Sequence, residues 1–427
     1  GTTRQITSTL FGSSTFTSNI PAVPPAIITD LDFNIPYRAF GSFGSNGWNV
    51  EIGRDKVSWG PGKTGNFVVG DHLPYHNQGR FTTYNKNFKY TFLTSFFPHP
   101  SAYYDTNTGT NLAHVNQKSD QTQSIDGLNM FMSHRLEWRL FNDKLGLALT
   151  EGMMYQSKNN TLDLRILNPV MIFHNYYLRS YSNSIISLEA DYSPIKHLNI
   201  YGQVVIDEFA LPGEPVPGKD AWAYPSAYGF MLGAQGYIPT SIGMLYGGLE
   251  AVKTDPFLYL RYNTDDNNAQ KEHGLNYVVA TRYFSESGTY YVEDFLGYRY
   301  GGDAVVFNGN IGLKSFGKWS AEFNLFHMLH GTHDMWTAWK KVGTDSNTVP
   351  HENSPTTSHP THNYKDDNAS DRDSISHTTI VSLKGTYQIL PALQVYGKGD
   401  FIHIKNPGNI SSNSAVSDFQ FSFGGTY

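Results

Sequence analysis

Apolar and polar residues alternate one by one in many segments of the chain, which is the pattern of a β-strand with one apolar face. Successive side chains of a strand point to opposite faces of its sheet. The last nine residues alternate most clearly, with aromatic residues at one parity (Phe419, Phe421, Phe423, Tyr427) and polar or small residues at the other (Gln420, Ser422, Gly424, Thr426). They predict a strand with one aromatic face and one polar face.

The same alternation recurs at 132–140, 186–192, 198–207, 319–325 and 393–401. A tilted strand needs about 9–11 residues to cross a bilayer, and these segments are close to that length. The chain from residue 131 onward accommodates roughly 13 such strands, and single-chain bacterial barrels have even strand numbers. We therefore predict an all-β protein, a transmembrane antiparallel β-barrel of 16–18 strands with 18 favoured. Residues 33–43, 47–57 and 87–97 are predicted strands of the first part, and the Pro-rich stretch 21–25 is a linker or turn.

The connections between these segments also alternate, between short and long. Short turns are predicted at 142–144, 193–197, 239–241, 286–288, 315–318 and 390–392, and long polar segments at 210–226, 253–273, 329–377 and 405–417. Transmembrane barrels have short periplasmic turns and long external loops. If the C-terminal strand ends at the periplasmic rim, every short turn from residue 131 onward falls on that side.

Composition supports a barrel over a large soluble protein. Charged residues make up 16% of the chain, against roughly 25% in ordinary soluble domains, and there are 28 Tyr, 27 Phe and 7 Trp. No stretch approaches the roughly 18 apolar residues of a membrane-spanning helix. The first residues show no signal peptide, so the sequence is interpreted as a processed form.

Other classes of protein are disfavoured by what the sequence lacks. The chain has no cysteine, which excludes disulfides, thiolate metal sites and a cysteine nucleophile. A net charge of -6 gives no basic surface for nucleic acid. His327, His330 and His333 are spaced by three, but on a strand such neighbours point to opposite faces, so no metal site and no cofactor are predicted. No Ser-His-Asp signature is evident, so we expect a protein that is not an enzyme; an outer-membrane hydrolase is a minor alternative.

Two segments do not fit the wall of a barrel. Residues 58–80 contain Gly60-Pro61-Gly62, Gly65 and Gly70, and residues 161–184 have no clear period. Both are long for turns, and we expect them to fill the lumen or to cap one end. Residues 329–377 are predicted to form a long extracellular loop, and its part 341–376 is rich in Ser, Thr, Asn, Asp and Pro and is predicted to be mobile.

Charged residues of alternating sign are predicted on the luminal face of one strand. Arg135, Glu137 and Arg139 share one parity there, while Leu136 and Trp138 should face lipid. These charges either neutralise one another across neighbouring strands or form a polar surface for a hydrophilic ligand. Mixed signs argue against an ion-selective pore, because selectivity rings need one sign.

Tryptophans near strand ends are further candidates. Trp59 precedes Gly60-Pro61-Gly62, which ends a strand and turns the chain, so Trp59 is interpreted as an aromatic plug. Trp336 and Trp339 lie just past a strand end. They fit an aromatic belt at the membrane interface, or a platform on which a sugar ring stacks.

Four stretches resemble the capsule-assembly Wzi family of outer-membrane barrels, in family order over roughly residues 50–210. They are Gly53-Arg54-Asp55 through Trp59-Gly60-Pro61-Gly62 with Gly65-Asn66 and Asp71 to Pro74; His134-Arg135-Leu136-Glu137; Leu167-Asn168-Pro169 with Phe173-His174-Asn175; and Tyr201-Gly202-Gln203 with Asp207-Glu208-Phe209. The resemblance implies an 18-stranded barrel with an occluded lumen, small helical elements on the periplasmic side, and a surface lectin that holds capsular polysaccharide. Residues at matching positions, expected to bind polysaccharide or to fix the plug, are Arg54, Asp55, Trp59, Asn168 and His174.

We therefore expect a non-enzymatic barrel of the bacterial outer membrane that binds surface polysaccharide and helps to anchor or assemble it. The expected partners are this polysaccharide, outer-membrane lipid and lipopolysaccharide, with no nucleic acid, and the protein is expected to be a monomer. The alternative is a diffusion porin or a substrate-specific channel.

Overall fold

The computed structural model describes residues 38–97, 128–157, 164–168, 171–173, 182–208, 227–260, 276–285, 288–333, 335, 354–356 and 372–426. This part of the chain holds seventeen strands. Their bounds are β1 Ala39–Ser45, β2 Trp48–Asp55, β3 His76–Tyr84, β4 Phe88–Phe97, β5 Leu128–Leu140, β6 Leu145–Ser157, β7 Ser182–Tyr192, β8 Leu198–Glu208, β9 Ala227–Thr240, β10 Gly243–Thr254, β11 Val278–Ser285, β12 Gly288–Phe295, β13 Ala304–Ser315, β14 Trp319–His330, β15 Ser376–Leu390, β16 Leu393–Lys405 and β17 Val416–Thr426.

Fifteen of these strands form one antiparallel sheet in chain order, and β11 and β12 form a separate hairpin. Because β10 pairs directly with β13, the hairpin is an excursion from the wall. The two edge strands, β1 and β17, run in the same direction. An antiparallel barrel with this wall therefore closes with an odd number of further strands, which gives the even total typical of bacterial barrels.

Short and long connections lie at opposite ends of the sheet, as predicted. The short-turn end carries 46–47, 85–87, 141–144, 193–197, 241–242, 316–318 and 391–392, and the long-loop end carries the other connections. The predicted short turn at 286–288 does connect two paired strands, but these are β11 and β12 and not wall strands, so its assignment to the wall is wrong. The run Tyr277 to Ala280 is buried on both faces, so it cannot belong to a wall with one lipid face.

Inward-facing side chains of the wall meet in one hydrophobic core. The core includes residues of every strand from β4 to β10 and from β13 to β16, among them Phe131, Val205, Val306 and Ile402. These side chains contact one another and the same central segments, so the sheet curls around them as a barrel. The core lies in the half of the lumen nearest the long loops.

Outward-facing side chains of the wall are large, apolar and exposed. Leu249 is 72% exposed, and Phe419, Phe421 and Phe423 lie on the outward face as predicted, with Phe423 76% exposed. Their neighbour Gln420 faces inward and pairs with Asp400 of β16. Such a face is unfavourable in water and is the surface that a barrel presents to lipid.

The segment 58–80 is divided between the lumen and the wall. Residues 56–75 lie inside the barrel, where Phe67, Val68, Val69 and Leu73 are fully buried, while His76 begins the wall strand β3. The other predicted strands of the first part differ by a few residues: β1 and β2 replace 33–43 and 47–57, and β4 matches 87–97. Residues 33–37 and 21–25 lie outside the described residues.

The placement predicted for 161–184 is wrong for the residues that are described. Ile166 and Phe173 pack against Met130, Met132, Met153 and Tyr155, which are the outward-facing side chains of β5 and β6. This segment therefore covers the outside of the wall near the long loops. A segment without periodicity carries no sign of which face it will cover. The lumen is instead completed by the described residues between 255 and 303, among them Tyr259, Tyr277 and Tyr298.

Helical elements are short. The two that have described bounds are 3₁₀ helices at Leu164–Leu167 and Pro407–Asn409, and both lie at the long-loop end. The expected small helices of the periplasmic side are not found among the described residues. Nor does the described part of the chain contain a helix long and apolar enough to cross a membrane.

Adjacent residues of β14 test which face meets lipid. Leu325 faces outward near the middle of the strand, and Asn324 faces the lumen. We expect Leu325→Arg to destabilise the folded barrel by about 2–4 kcal/mol, because a cation would face the hydrocarbon region. Asn324→Arg is the matched control and should cost much less. Equal losses in urea-unfolding measurements in lipid vesicles would contradict the assignment of the faces.

Candidate functional site

Two segments fill the lumen and bind each other. The first, residues 56–75, is the plug loop, and the second, which comprises residues 255–260, 276–285 and 288–303, is the plug hairpin segment. Gly70 N–H donates to the carbonyl of Leu296 (2.8 Å), and the hydroxyl of Tyr259 donates to the carbonyl of Phe67 (2.6 Å) while accepting from Tyr298 N–H (2.9 Å). Since these groups are buried, each bond satisfies a polar group that would otherwise destabilise the plug.

At Gly297 the backbones of the two plug segments are in close contact. A Cβ atom at this position would overlap the carbonyl oxygen of Phe67. Only glycine, which has no Cβ, permits this contact between the two backbones.

Glu250 of β10 anchors the plug loop to the wall. Its carboxylate, only 4% exposed, accepts hydrogen bonds from Lys63 N–H (2.7 Å), Thr64 N–H (2.8 Å), the Thr64 hydroxyl (2.6 Å) and the Tyr201 hydroxyl (2.8 Å). Glu250 was not predicted as a site residue, although its inward parity on β10 and its charge in a mostly apolar strand indicate a buried polar contact.

A second anchor joins the plug loop to three wall strands. Phe67 N–H donates to Gln203 Oε1 (2.9 Å), and Gln203 Nε2 donates to Glu189 (2.8 Å). Glu189 in turn accepts two bonds from Arg135, at 2.7 and 2.8 Å. The guanidinium of Arg135 lies 5.6 Å from the centre of the Trp59 ring. The plug is therefore connected to a chain of buried, mutually satisfied polar groups.

Arg135 reaches Glu189 across the strand that lies between β5 and β7. The inward residues of β6 at this level are Gly146, Ala148 and Thr150, and they pair with Arg139, Glu137 and Arg135 in turn. Because these three side chains are small, long side chains from β5 pass over them to β7. A Cβ on Gly146 would overlap the Arg139–Asp191 ion pair. The row of small inward residues on β6 indicates a contact between β5 and β7, but this contact was not predicted from the sequence.

A pocket of about 310 Å³ lies below the plug, on the side of the short turns. We call it the vestibule pocket; its lining includes Trp59 of the plug loop and Lys89, Arg135, Glu137, Arg139 and Asp191 of the wall. Trp59 packs partly against the core and is half-buried. The volume of the vestibule pocket is near the lower end of the range of small-molecule sites in proteins.

The charges of the vestibule pocket are paired. Arg135 and Glu189 are nearly inaccessible, with side chains 7% and 6% exposed. Arg139 and Asp191 form a second pair (2.8 Å) that is 51% and 29% exposed, and Lys89 and Glu137 form a third (2.6 Å). Three positive and three negative groups thus leave the pocket without net charge.

The structure brings four of the predicted site residues together and separates the others. Trp59, Arg135, Glu137 and Arg139 line the vestibule pocket. On the outward face of β5, Trp138 packs against Phe88. Asn168 is exposed outside the wall, and His174, Trp336 and Trp339 lie outside the described residues.

Arg54 and Asp55 are adjacent in sequence but have different environments. Arg54 lies over the ring of Tyr75 (4.1 Å) and donates to Asn77 Oδ1 (3.0 Å). Asp55 is buried and accepts bonds from Arg38 (2.5 Å) and from Lys56 N–H (2.8 Å). Neither residue borders the vestibule pocket. Both hold the end of β2 where the plug loop begins.

Asp303 fastens part of the long loop at the opposite end of the barrel. This fully buried carboxylate accepts bonds from His333 N–H and Nδ1–H (both 3.1 Å) and from the hydroxyl of Ser354 (2.5 Å). Burial raises the pKa of Asp303, but the bonds and charge of His333 and the bond from Ser354 more than offset this and hold the pKa below its usual range. We call this contact the loop clasp. It fixes residues 354–356, within the segment predicted to be mobile.

The loop clasp has neither the geometry of a hydrolase triad nor that of a metal site. The Ser354 hydroxyl donates to the carboxylate of Asp303, whereas the serine of a hydrolase triad donates to an imidazole nitrogen. His327 and His330 have other partners, Thr379 and the carbonyl of Tyr300. No cluster of three or more potential metal ligands occurs among the described residues.

His72 and Asp294 of the plug also have shifted pKa values. Burial, with the nearby charge of Arg299, lowers the pKa of His72 to about 4, so its ring is neutral at neutral pH and Nε2–H donates to the carbonyl of Phe295 (2.7 Å). Burial also raises the pKa of Asp294, on β12, from 3.8 to about 6. Asp294 therefore favours the folded plug when protonated and opposes it when ionised.

Asp294→Asn should remove this pH dependence. Stability contributed by protonated Asp294 is fully present below about pH 4 and is lost as the pH rises through about 6. At pH 8 we expect the Asn variant to be more stable by up to about 3 kcal/mol, at 1.36 kcal/mol per pKa unit. Thermal unfolding of both proteins at pH 4 and pH 8 measures this. If the stability difference between the Asn variant and the native protein is the same at pH 4 and at pH 8, the raised pKa assigned to Asp294 is contradicted.

The chain shares its fold with solved structures but matches no known family in sequence. No family model matches the chain, and no curated protein matches its sequence. Among solved structures, the chain is similar to Wzi, an outer-membrane protein involved in group 1 capsule assembly in Escherichia coli and described as a carbohydrate-binding β-barrel. The two chains are 13% identical with a TM-score of 0.53, and the match covers 91% of this chain and 69% of Wzi. The outer-membrane protein opdK of Pseudomonas aeruginosa matches with 9% identity, a TM-score of 0.41, and coverage of 91% and 78%.

This is the fold of an outer-membrane β-barrel. The similarity to Wzi covers most of the chain, and the apolar outward face of the sheet is the surface that such a barrel presents to lipid. The fold and this face together place the chain in the bacterial outer membrane. Because long loops are external in such barrels, the long-loop end faces the cell exterior and the vestibule pocket faces the periplasm.

Proposed function

We propose that the protein is a non-enzymatic outer-membrane barrel that binds surface polysaccharide at its long-loop end and helps to anchor or assemble it. The observation that carries this proposal is the core that joins the plug to the wall strands β4–β10 and β13–β16. A lumen filled in this way disfavours a permanently open diffusion porin. A closed barrel can still present its external loops as a binding surface.

Two further observations support the proposal. The solved structure with the same fold, Wzi, is described as a carbohydrate-binding barrel. In this chain the loop clasp holds residues 354–356 against the barrel rim, which orders part of the longest external connection. A loop that is already fixed loses less conformational entropy when it binds a ligand. Surface polysaccharide, outer-membrane lipid and lipopolysaccharide are the proposed partners of a monomeric barrel.

Binding of purified protein to capsular polysaccharide from the producing bacterium tests the proposal. We expect the native protein to retain this polysaccharide in a pull-down, and Asp303→Asn to weaken binding several-fold because it loosens the clasp. Asp373→Asn is the matched control, since Asp373 also bonds a serine (Ser411, 2.5 Å) but is exposed. A capsule that stays attached to cells after deletion of the gene, together with absent binding in vitro, would refute the proposal.

A further inference from the structure

The vestibule pocket is accessible from one side only. The plug core closes the lumen on its long-loop side, and the pocket lies on the short-turn side. Its wall residues Arg139, Gly146 and Asp191 lie within a few residues of the turns at 141–144 and 193–197. A ligand of this pocket therefore enters from the periplasm, and the pocket is separate from any site on the external loops.

The pairing of charges in the pocket selects against charged ligands. Each cation there already has a carboxylate partner: Arg135 has Glu189, Arg139 has Asp191, and Lys89 has Glu137. An additional anion or cation would have to break one of these pairs or remain uncompensated. An uncharged ligand with many hydroxyl groups meets no such cost.

The two outer pairs retain capacity for hydrogen bonds. Arg139 uses Nη1 for both of its bonds to Asp191, so Nε and Nη2 are available to donate. Lys89 and Arg139 are each about half exposed. Guanidinium and carboxylate groups offer pairs of parallel donors or acceptors, which match the neighbouring hydroxyls of a sugar ring.

Trp59 supplies the apolar part of the pocket. The indole packs against the core, the Arg135 guanidinium lies 5.6 Å from the centre of its ring, and part of its surface lines the pocket. Small-molecule sites combine aromatic side chains with polar groups that orient the ligand, and this pocket offers both, with a larger share of polar groups. In a saccharide site, the apolar face of a pyranose packs against such a ring.

We propose that the vestibule pocket is a second saccharide site, which binds an uncharged pyranose unit of a glycan from the periplasmic side. This inference shares the ligand class of the proposed function but depends on a different end of the barrel and on different residues. Trp59 contacts the apolar face of the sugar, and Lys89, Glu137, Arg139 and Asp191 bond its hydroxyls. The inner pair of Arg135 and Glu189 keeps Trp59 in place without itself being exposed.

Calorimetric titration of the whole, detergent-solubilised protein tests this inference. The probes are three neutral disaccharides (maltose, lactose and diacetylchitobiose) and two charged sugars, glucuronate and glucosamine. We expect at least one neutral disaccharide to bind with millimolar affinity, and the charged sugars to bind at least about tenfold more weakly. Arg139→Ala should weaken neutral binding at least about tenfold.

A matched control is Lys398→Ala. Lys398 forms a comparable ion pair with Asp400 (2.8 Å) on the inward face of β16, outside the pocket. It should leave disaccharide binding unchanged. Trp59→Phe, which keeps an aromatic ring in the core, gives an independent variant that should weaken binding.

The outcomes separate this inference from the proposed function. Disaccharide binding that is lost in Arg139→Ala but kept in Asp303→Asn supports a separate periplasmic site, even if capsular polysaccharide does not bind at all. Failure of all three neutral disaccharides to bind at tens of millimolar would overturn it. So would equal binding to native protein and to Arg139→Ala, or stronger binding of the charged sugars.

Discussion

Replacing Glu250 by alanine is expected to open the lumen of the barrel. The change leaves Lys63 N–H, Thr64 N–H and the Tyr201 hydroxyl without their acceptor; the hydroxyl is buried and the two N–H groups are partly buried. Each unsatisfied buried group costs about 1–3 kcal/mol. Loss of these bonds releases residues 63–64 from β10, so we expect this part of the plug loop to leave the wall and to hydrate its N–H groups. Planar-bilayer recordings should show ion conductance in Glu250→Ala where native protein is silent.

Glu322→Ala is the control for this experiment. Glu322 also faces the lumen and also accepts a bond from a tyrosine hydroxyl, that of Tyr246 (2.8 Å), but this bond joins the wall strands β14 and β10 and not the wall to the plug. It should stay silent in the same recordings. Silence of Glu250→Ala as well, with unchanged protease resistance of residues 56–75, would show that this carboxylate does not hold the plug.

Arg135→Ala is expected to destabilise the barrel far more than Arg139→Ala. Both arginines bond a carboxylate of β7 across β6, and the two pairs differ mainly in exposure. Removing Arg135 leaves Glu189 as an unpaired buried charge, for which the cost is about 3–5 kcal/mol. The Arg139 pair is largely exposed and screened, so its loss costs about 0–1 kcal/mol.

Urea unfolding of both variants in lipid vesicles measures this difference. Gln203→Leu is a useful third variant, because it removes the amide between Phe67 N–H and Glu189 while Arg135 and Glu189 remain paired. We expect Gln203→Leu to lower the free energy of unfolding by an amount between those of Arg139→Ala and Arg135→Ala. Equal stabilities of Arg135→Ala and Arg139→Ala would contradict the view that burial of the Arg135–Glu189 pair makes the loss of its arginine more destabilising.

The faces of the wall strands could be predicted from the sequence because a strand has a period of two. Phe419, Phe421 and Phe423 face outward for this reason, and Arg135, Glu137 and Arg139 share the inward face. The short turns were also recognisable. The turn at 286–288 was misassigned because a hairpin inside the plug uses the same turn residues as a hairpin of the wall. Its distinguishing feature is the run Tyr277 to Ala280, which is apolar at both parities.

The candidate site was only partly predictable, because its contacts depend on register. Arg135 and Glu189 are separated by 54 residues and by an intervening strand. Their contact requires both the pairing of β5, β6 and β7 and the small residues Gly146, Ala148 and Thr150 between them. The location of Ile166 and Phe173 outside the wall could not be inferred, since burial against the inner or the outer face of the wall requires the same apolar residues.

The most direct test of a barrel closed by its own chain is the conductance of native protein in a planar bilayer. With the core joining the plug to wall strands on nearly all sides, we predict that the inserted protein shows no steady ion current across a range of voltages. A steady conductance proportional to voltage, seen reproducibly with pure folded protein, would contradict the closed lumen and identify the protein as a channel.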